Sequence, residues 1–374
     1  MRVLVLNAGS SSLKASAIDA PDVTVARADA SWGFDASRAS DRAAGLREVM
    51  QALAEADAPP ESFDAVGHRV VHGGSRFTAA ARIDDEVLAG IREARDLAPL
   101  HNDVALETIA AARDLLRDVP HVAAFDTAFH AVLPPAGYRY PVPAAWFREW
   151  GVRRYGFHGL SVTWSIRRAA ELLDRPAEEL RIVVAHLGSG CSVTAVDGGR
   201  SMDTSMGMTP LEGLMMGTRS GSIDPGAMLA AMRKGRLTVD ELEDVLDHRS
   251  GLLGVSGRTA DMRDLLVAEA SGDQDASLAV EMFVRRAAAG IAAAATSLAA
   301  LDALVFTAGI GANAAPIRSR ISARLGVLGV LALPDADTRA DGVLTETGIR
   351  PAVLRVEARE DLVIAAEAAS LLEG

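Results

Sequence analysis

The sequence predicts an α/β protein built from two duplicated halves. Residues 181–199, RIVVAHLGSGCSVTAVDGG, have the pattern of a buried strand, a Gly-Ser-Gly turn and an alternating return strand. Residues 3–18, VLVLNAGSSSLKASAI, follow the same plan, and an overlay of the two segments places Gly9 on Gly188. Strand patterns alternate with helical ones elsewhere in the chain, as in α/β folds. We therefore expect a duplicated domain whose two glycine turns face each other across a cleft.

Size and charge limit the classes of protein that fit. A chain of 374 residues is long enough for two domains, each with its own core. Apolar residues make up 49% and charged residues 24%, the balance of an ordinary globular protein. The net charge of −12 argues against a nucleic-acid partner, because phosphate backbones are bound by basic surfaces.

Cysteine content and hydropathy predict a cytoplasmic protein without a membrane partner. The single cysteine, Cys191, cannot form an intramolecular disulfide, which fits a reducing compartment. The first residues lack the pattern of a signal peptide. The most apolar run, residues 287–301, is shorter than the roughly 20 residues that span a bilayer and predicts a buried helix.

The first half of the chain gives clear periodic signals. Apolar residues recur at helical spacing from about Ser40 until two prolines, Pro59 and Pro60, stop the pattern. Asp126 directly follows a short apolar strand, at the edge where open α/β sheets bind ligands. The remaining predicted elements are a strand ending in a Gly-Gly turn at 64–74, helices at 85–94 and 103–117 with LAPLHN between them, and a strand at 121–125.

The second half begins after a proline-rich segment, residues 133–150, which predicts an extended crossing between the halves. Residues 203–226 show no clear period, and a loop of that length with apolar residues is more typical of function than of disorder. The remaining predicted elements are a helix through Leu173, a helix capped by Asp224 with Gly235 as its stop, a helix with the capping box Thr238–Glu241, a strand and glycine turn at 303–314, a strand at 353–356 and a last helix from Glu360.

Glycine turns follow three predicted strands, at Gly9, at Gly188 and at Gly309–Gly311. None matches the Walker pattern or the dinucleotide fingerprint. Around Gly9, the polar residues Asn7, Ser10, Ser11, Ser12 and Lys14 would suit phosphate oxygens. A simple polar hairpin tip explains the same residues equally well.

Arginines and histidines in small-residue settings are the other signals of a site. Arg69 precedes VVHGG, and Arg219 lies within GTRSG, where a guanidinium fork would suit a carboxylate or a phosphate. His101, His158 and His186 each lie next to a glycine, an asparagine or a strand end. Without further cysteines or an H-E-x-x-H pattern, they favour an anion site over a metal site.

These motifs resemble the acetate kinase family in order and over essentially the whole chain. They are NAGSSSLK at 7, HRVVHGG at 68, LAPLHN at 97, FDTAFH at 125, YGFHGLS at 155, HLGSGCS at 186, DTSMGMTPLEGLMMGTRSG at 203, SGLLGVSG at 250 and FTAGIGAN at 306. The family belongs to the superfamily of acetate and sugar kinases, heat-shock chaperones and actin, whose actin-like ATPase fold has two duplicated α/β domains around a nucleotide cleft. The resemblance implies an N-terminal domain of residues 1–132 with a helix 361–374 packed back on it, and a C-terminal domain of residues 133–360 with most of the nucleotide site.

The resemblance implies reversible phosphoryl transfer from ATP to acetate or propionate, which gives an acyl phosphate and ADP. Arg69 and Arg219 would hold the two anionic reactants, and His158 and Arg219 would stabilise the transition state. Asp126 would orient Arg69 or the reacting groups.

Binding residues follow from the same resemblance. A small apolar pocket for the acid would consist of Val71, Leu100, Phe157 and Pro210 beside Arg69. Mg²⁺, or Mn²⁺ in its place, would be held by Asn7 and Glu360, and a homodimer is expected. The nucleotide would contact Asn7, Ser10, Ser12, Lys14, His186, Leu187, Gly188, Ser189, Gly190, Gly309, Ile310, Gly311 and Asn313.

Several positions depart from the family pattern. Ser189 stands where the family usually has asparagine, and Ala312 stands where it has an acidic residue. Both lie in the expected nucleotide site, so the choice of nucleotide, or even pyrophosphate as the phosphoryl donor, is left open. A kinase of the same family that acts on another short-chain acid is a further alternative. A nucleotide-switched binding module of the chaperone or actin kind is the alternative from another class, and a sugar kinase is a third.

Overall fold

The computed structural model describes residues 1–9, 12–32, 39–335 and 340–373, and for residues 39–41, 99 and 100 it describes the backbone only. The chain forms two compact units. Unit 1 consists of residues 1–131, 157–164 and 359–374, and unit 2 of residues 132–156 and 165–358. The units differ from the predicted domain limits in residues 157–164, which hydrogen bonds tie to the end of the first segment. Limits at residues 132 and 360 for two domains stay a prediction.

Unit 1 contains a six-stranded sheet in the order β3-β2-β1-β4-β6-β5. The predicted hairpin is confirmed, because β1 and β2 pair antiparallel with Ala8 opposite Leu13. β1, β4 and β6 run parallel, so their carboxyl ends share one edge. The strands are β1 Arg2–Ala8, β2 Ser12–Asp19, β3 Val23–Ser31, β4 Ala65–Val70, β5 Ala81–Arg82 and β6 His121–Phe125.

The α-helices of this part of the chain, as far as the structure describes it, are α1 Ala39–Glu55, α2 Asp85–Glu93 and α3 Pro99–Leu115. The prediction of a connection through LAPLHN and a helix start near Asp103 is wrong by about a turn, because α3 begins at Pro99. Proline fits the first helical turn, where its missing N–H costs no hydrogen bond.

The proline-rich segment contains the short helices α4 Pro135–Tyr138 and α5 Ala144–Trp150. The prediction of an extended crossing is therefore only partly right, since Pro135 again occupies a first helical turn. Gly151 ends α5 in a left-handed conformation. The next helix, α6 Gly159–Leu173, ends where the sequence predicts.

Unit 2 contains a second six-stranded sheet in the order β11-β12-β10-β7-β8-β9. Each strand has an equivalent in unit 1, with β7 matching β1, β8 matching β2 and β10 matching β4, and both sheets end in an antiparallel edge pair. The prediction of two duplicated α/β halves is confirmed. The strands are β7 Arg181–Leu187, β8 Cys191–Asp197, β9 Arg200–Thr204, β10 Ala303–Thr307, β11 Gly342–Val343 and β12 Ala352–Arg355.

The remaining helices are α7 Pro225–Gly235, α8 Val239–His248, α9 Gly251–Ser256, α10 Met262–Ala270, α11 Gln274–Ala295, α12 Ala308–Asn313, α13 Ala315–Arg324 and α14 Glu360–Glu373. The caps predicted for α7 and α8 are present. However, the left-handed residue after α7 is Arg236, not Gly235. The turn predicted after β10 is wrong, because residues 308–313 form the short helix α12.

The last helix, α14, packs in unit 1 against β1, β4 and β6. Ile364 lies over Gly67 of β4, where an added Cβ would come within 2.6 Å of the isoleucine side chain. This close approach brings the first turn of α14 to the edge where the parallel strands end. Among the residues that the structure describes, no helix is long and apolar enough to cross a membrane.

Candidate active site

Arg69 and Asp126 form a buried, two-pronged ion pair in unit 1. Arg69 Nε donates to Asp126 Oδ1 at 3.0 Å, and Arg69 Nη2 donates to Asp126 Oδ2 at 2.5 Å. The Asp126 side chain is 1% exposed, whereas the Arg69 side chain is 18% exposed. The pair therefore presents its guanidinium edge, and not its carboxylate, to the outside.

Strand register places this pair. β4 and β6 are parallel neighbours with Val70 opposite Phe125. Asp126 follows the end of β6, and its N–H donates to Val70 O at 3.0 Å, which continues the ladder by one residue. Arg69 is therefore the second-last residue of β4, and Asp126 directly follows the neighbouring strand β6.

The local charges favour a fixed guanidinium cation. Burial alone would lower the pKa of Arg69, but the neighbouring charges of Asp126 and Glu360 outweigh burial and raise it. Burial raises the pKa of Asp126, and the ion pair with Arg69 opposes that shift. The N–H of His158 also donates to the Asp126 carboxylate and favours its ionised form.

Asn7 and Glu360 extend the pair into a connected polar cluster. Asn7 Oδ1 accepts from Arg69 Nη1 at 3.2 Å, while Asn7 Nδ2 donates to Glu360 Oε2 at 3.1 Å. The same Glu360 oxygen lies 3.6 Å from Arg69 Nε. These two predicted metal ligands supply amide and carboxylate oxygens, the donor types that Mg²⁺ prefers.

A strained loop carries His158 next to the aspartate. His158 has a φ of 60°, a left-handed conformation that histidine seldom adopts. Gly159 donates its N–H to Asp126 O at 2.9 Å, and an added Cβ at Gly159 would lie 2.3 Å from that oxygen. Only glycine allows this approach, so the loop is locked to Asp126 through the main chain.

Two of the predicted pocket residues, Val71 and Phe157, belong to unit 1. Val71 follows β4 and is buried, and Phe157 is buried with its ring edge-on to His72. Leu100 belongs to the first turn of α3, and its side chain lies outside the described residues. Pro210 belongs to unit 2.

Two residues that no sequence pattern indicates fix the loop after β4. Asn102 is fully buried, and its side chain accepts from His72 N and donates to His72 O. Thr127 Oγ1 accepts from Gly73 N at 3.1 Å. Both stand within quoted motifs, LAPLHN and FDTAFH, but only tertiary structure shows what they contact.

The N-terminal hairpin tip is described in part. Gly9 N donates to Ser12 O at 2.8 Å, and Lys14 is exposed opposite Asn7 in the strand register. Ser10 and Ser11 lie outside the described residues. Among the predicted nucleotide residues of this unit, Asn7, Ser12 and Lys14 therefore share one hairpin.

The equivalent hairpin of unit 2 has a tighter turn. Gly188 N donates to Gly190 O at 3.0 Å, while the carbonyl of the exposed Ser189 accepts from Gly217 N at 3.1 Å. An added Cβ at Gly188 would lie 3.5 Å from the Cβ of Ala308. This turn and the start of α12 are therefore close neighbours, with His186 and Leu187 buried behind them.

Cys191 lies just after the turn and is buried. Its Sγ donates to Gly188 O at 3.3 Å. Burial raises the pKa of the Cys191 thiol to about 12, although the charge of Arg219 opposes the shift. The thiol is therefore a packing group and not a nucleophile at neutral pH.

Helix α12 presents its glycines differently. Around Gly309 an added Cβ would meet nothing within 4 Å, whereas at Gly311 it would lie 3.5 Å from Ala185 O. Asn313 Nδ2 donates to Gly309 O at 3.0 Å, a side-chain hydrogen bond to the carbonyl one helical turn earlier. Among the predicted nucleotide residues 309–311 and 313, Gly309 thus has open space around it, whereas Gly311 packs closely against β7.

Two buried arginines that were not predicted from the sequence donate hydrogen bonds to backbone carbonyls of α12. Arg318 Nη1 donates to Gly311 O and Ala312 O, at 3.0 and 2.8 Å. Arg355 Nε donates to Ala312 O at 3.2 Å, and its Nη1 pairs with Asp341 at 2.8 Å. These contacts satisfy the carbonyls at the end of a helix that is too short to be stable alone.

Arg219 occupies a similar half-buried setting in unit 2. Its Nε lies 3.4 Å from Asp247 Oδ1, and its Nη1 donates to Pro210 O at 3.5 Å. Burial lowers the pKa of Arg219, and Asp247 opposes that shift. The structure therefore places the predicted residues Arg219 and Pro210 together.

A third arginine, also missed from the sequence, shapes the loop that contains Pro210. Arg154 Nη1 donates to the carbonyls of Thr204, Ser205 and Met206, at 2.9 to 3.0 Å. Its Nη2 donates to Glu212 at 2.9 Å. One guanidinium thus organises the end of β9 and the irregular segment that follows it.

The chain has two equivalent α/β units, and each unit has glycines where strands end and an ion pair between an arginine and an aspartate. These features are those of a nucleotide-dependent phosphotransferase. A family model described as the acetokinase family matches residues 2–366, and the chain belongs to that family.

Close relatives agree with this assignment. The chain is 46% identical to the acetate kinase of Deinococcus deserti, covering 100% of this chain and 98% of the relative. It is 43% identical to the acetate kinase of Gloeobacter violaceus, covering 98% of both. Among solved structures, it is similar to the acetate kinase of Porphyromonas gingivalis, with a TM-score of 0.88, 32% identity and 99% of each chain covered. It is also similar to a propionate kinase from Francisella tularensis, with a TM-score of 0.89, 34% identity and the same coverage.

Proposed function

We propose that this protein transfers the γ-phosphoryl group of ATP to acetate or propionate, reversibly, and releases an acyl phosphate and ADP. The observation that carries the proposal is the Arg69–Asp126 pair at the strand edge of unit 1, within a chain of the acetokinase family. In this proposal the protein has a domain of residues 1–132 with the helix 361–374 packed on it, and a domain of residues 133–360 that supplies most of the nucleotide-binding residues.

Arg69 binds the acid. A guanidinium has five N–H donors, and Asp126 and Asn7 take three of those of Arg69, so two remain for the carboxylate. Asp126 fixes the plane of the fork. A carboxylate and a phosphate at contact repel by about 4 kcal/mol at an effective dielectric near 20, which this cation offsets.

No general base is needed, because the acid reaches the enzyme ionised and its carboxylate oxygen attacks phosphorus directly. The bond that breaks joins the γ-phosphorus to the oxygen that bridges it to ADP, and ADP leaves with the electron pair. His158 and Arg219 stabilise the charge on the transferring group. The family resemblance supports both roles, together with the placement of His158 beside Asp126.

The substrate methyl or ethyl group lies against Val71, Leu100, Phe157 and Pro210. The burial of Val71 and Phe157 supports an apolar pocket. One extra methylene changes binding by only about 1–3 kcal/mol in such a pocket, so acetate and propionate both fit the proposal.

The phosphates of ATP are bound by the two hairpin tips, through Asn7, Ser10, Ser12 and Lys14 in one and His186, Leu187, Gly188, Ser189 and Gly190 in the other. Gly309, Ile310, Gly311 and Asn313 of α12 bind the rest of the nucleotide. The open space around Gly309 supports this assignment.

Asn7 and Glu360 hold Mg²⁺, or Mn²⁺ in its place, largely through water. Their hydrogen bond at 3.1 Å keeps two oxygen-bearing side chains together. Mg²⁺ keeps several of its waters in most protein sites, so two oxygen-bearing side chains are enough to hold it. When bound, the ion neutralises phosphate charge. We further expect a cytoplasmic homodimer.

Detection of the acyl phosphate as its hydroxamate tests the proposal. Acetate, propionate and butyrate are each combined with ATP, another nucleoside triphosphate or pyrophosphate. Product with ATP and with acetate or propionate is expected, with less from butyrate. If product forms with pyrophosphate but not with ATP, the phosphoryl donor is pyrophosphate. If no combination gives product, the proposal is wrong.

A further inference from the structure

Unit 1 contains a cavity of about 540 Å³ that no part of the proposed reaction uses. It lies where β5, α2, α3 and the segment leading to β6 meet. Its volume is within the roughly 300–1,000 Å³ of small-molecule sites. One carboxylate, Asp114, is among the lining residues. The rim carries four arginines, which are Arg82, Arg92, Arg113 and Arg117.

These rim arginines differ from the arginines around them. The neighbouring Arg76 and Arg95 form ion pairs with Glu86 and Asp103. None of the four rim arginines has a carboxylate partner within 4.0 Å in residues 1–9, 12–32, 39–335 and 340–373. A chain with a net charge of −12 therefore carries a locally cationic patch, which would attract anions.

The floor of the cavity is apolar. Ile83 and Ile109 are buried there, with Leu88 and Leu106 partly buried beside them. A ligand that fills the cavity would therefore cover apolar side chains as well as meet the guanidinium groups. A simple inorganic anion would use only the rim.

A neutral histidine, His121, also lines the cavity. His121 Nε2 lies 3.2 Å from Leu116 O, and its Nδ1 lies 2.9 Å from Nε2 of the buried His68. The first contact requires a donor at His121 Nε2, which leaves Nδ1 as the acceptor. Burial lowers the pKa of both histidines, so they add no positive charge to that of the rim arginines.

The cavity lies at the opposite end of β6 from the candidate active site. His121 begins β6 and Asp126 follows its end. Five residues of extended strand span roughly 15–17 Å. A ligand in the cavity would therefore not occupy the position that the proposed function gives to the acid beside Arg69.

We propose that this cavity binds a small organic phosphate that carries an apolar body. The guanidinium forks match phosphate oxygens, and the isoleucine and leucine side chains match the apolar body. The site is independent of the proposed function, since it shares no residue with it.

Calorimetric titration with 1-naphthyl phosphate tests this site, with saturating ADP and acetate present throughout. Inorganic phosphate and 1-naphthol serve as the two half-ligands. The variants are Arg113→Ala/Arg117→Ala and, separately, Arg82→Ala. Arg47→Ala is the matched control, because Arg47 is an exposed arginine of α1 in the same unit and does not line the cavity.

We expect one molecule bound per chain, with both half-ligands weaker by at least about tenfold. Loss of charge-assisted hydrogen bonds should weaken binding about tenfold or more in the double variant and less in Arg82→Ala, with Arg47→Ala unchanged. Absence of saturable binding, or equal binding by wild type and all three variants, would overturn the proposal. If the double variant does not fold, the proposal is tested by the binding of 1-naphthyl phosphate to Arg82→Ala and by the binding of the two half-ligands to the wild type. Acyl-phosphate formation by the same preparations is scored separately, so failure of one proposal is not failure of the other.

Discussion

Arg69 and Asp126 meet through two parallel hydrogen bonds at 3.0 and 2.5 Å, although 57 residues separate them in the chain. Asp126→Asn removes the negative charge and one acceptor but keeps the size of the side chain. We expect kcat/KM to fall by about 100-fold, because small displacements of a positioning group have effects of that size. Steady-state kinetics of acyl-phosphate formation measures the change.

Asp302 offers a matched control for that variant. Its carboxylate is also buried between arginines, accepting from Arg181 Nε at 2.9 Å and Arg175 Nη1 at 3.1 Å, but it lies outside the candidate site. Asp302→Asn should lower the free energy of unfolding, by up to about 3–5 kcal/mol, and leave kcat/KM of the folded enzyme unchanged. Equal kinetic losses in both variants would assign Asp126 a purely structural role.

The loop of His158 should not tolerate a methyl group at Gly159. An added Cβ would lie 2.3 Å from Asp126 O, so Gly159→Ala must move the loop away from the aspartate. We expect activity to fall by about 100-fold or more, with a smaller change in thermal stability. Gly342→Ala is the control, since its Cβ would meet nothing within 4 Å. Full activity of Gly159→Ala would show that the loop position does not matter.

Ser189→Asn tests the departure from the family at the turn of unit 2. The Ser189 side chain is exposed, while its backbone is fixed by the bond from Gly217. The larger amide should therefore fit without rearrangement and add a donor for a phosphate oxygen. We expect KM for ATP to fall about three- to tenfold, as one added hydrogen bond allows, with KM for acetate unchanged. A change in KM for acetate alone would contradict the nucleotide assignment.

Glu367 should make stability depend on pH. It lies on α14, its Oε2 is buried without a hydrogen-bond partner in the described part of the chain, and burial raises its pKa to about 7. Between the unfolded value of 4.5 and about 7 the folded state holds a proton that the unfolded state releases. The free energy of unfolding should therefore fall as pH rises through that window, by up to about 3 kcal/mol.

Urea unfolding at pH 5 and pH 8 measures this dependence. Glu367→Gln should remove the fall and be more stable than the wild type at pH 8. Glu373→Gln, an exposed substitution on the same helix, should behave like the wild type. An unchanged pH dependence in Glu367→Gln would mean that another group titrates.

Patterns that repeat locally made the fold predictable. Alternation and glycine turns located both hairpins, and the capping box at Thr238 and Glu241 located the start of α8, because these signals depend on neighbouring residues alone. The errors fall where one residue type has two uses. Proline both ends helices and begins them, so the sequence pattern does not predict the start of α3 at Pro99. Glycine occurs in turns and in helices, so the glycines of α12 predict a turn where the structure has a helix.

The candidate site was predictable only in its motif residues. Membership of the acetate kinase family followed from their order and is confirmed, while the assigned roles stay a prediction. Asn102, Arg154, Arg318 and Arg355 were not found, because they act on backbone carbonyls and amides far away in the sequence. Such contacts leave no periodicity or spacing to detect.

The most direct measurement follows the oxygen of the acid. Acetate labelled with ¹⁸O in both carboxylate positions is incubated with ATP, Mg²⁺ and the enzyme, and the phosphorus spectrum of the product is recorded. If the Arg69-bound carboxylate attacks the γ-phosphorus, acetyl phosphate forms with ¹⁸O in the bridging position and its ³¹P resonance is shifted by that isotope. Acetyl phosphate without label on phosphorus, or ADP release without acetyl phosphate, would contradict direct transfer to the carboxylate.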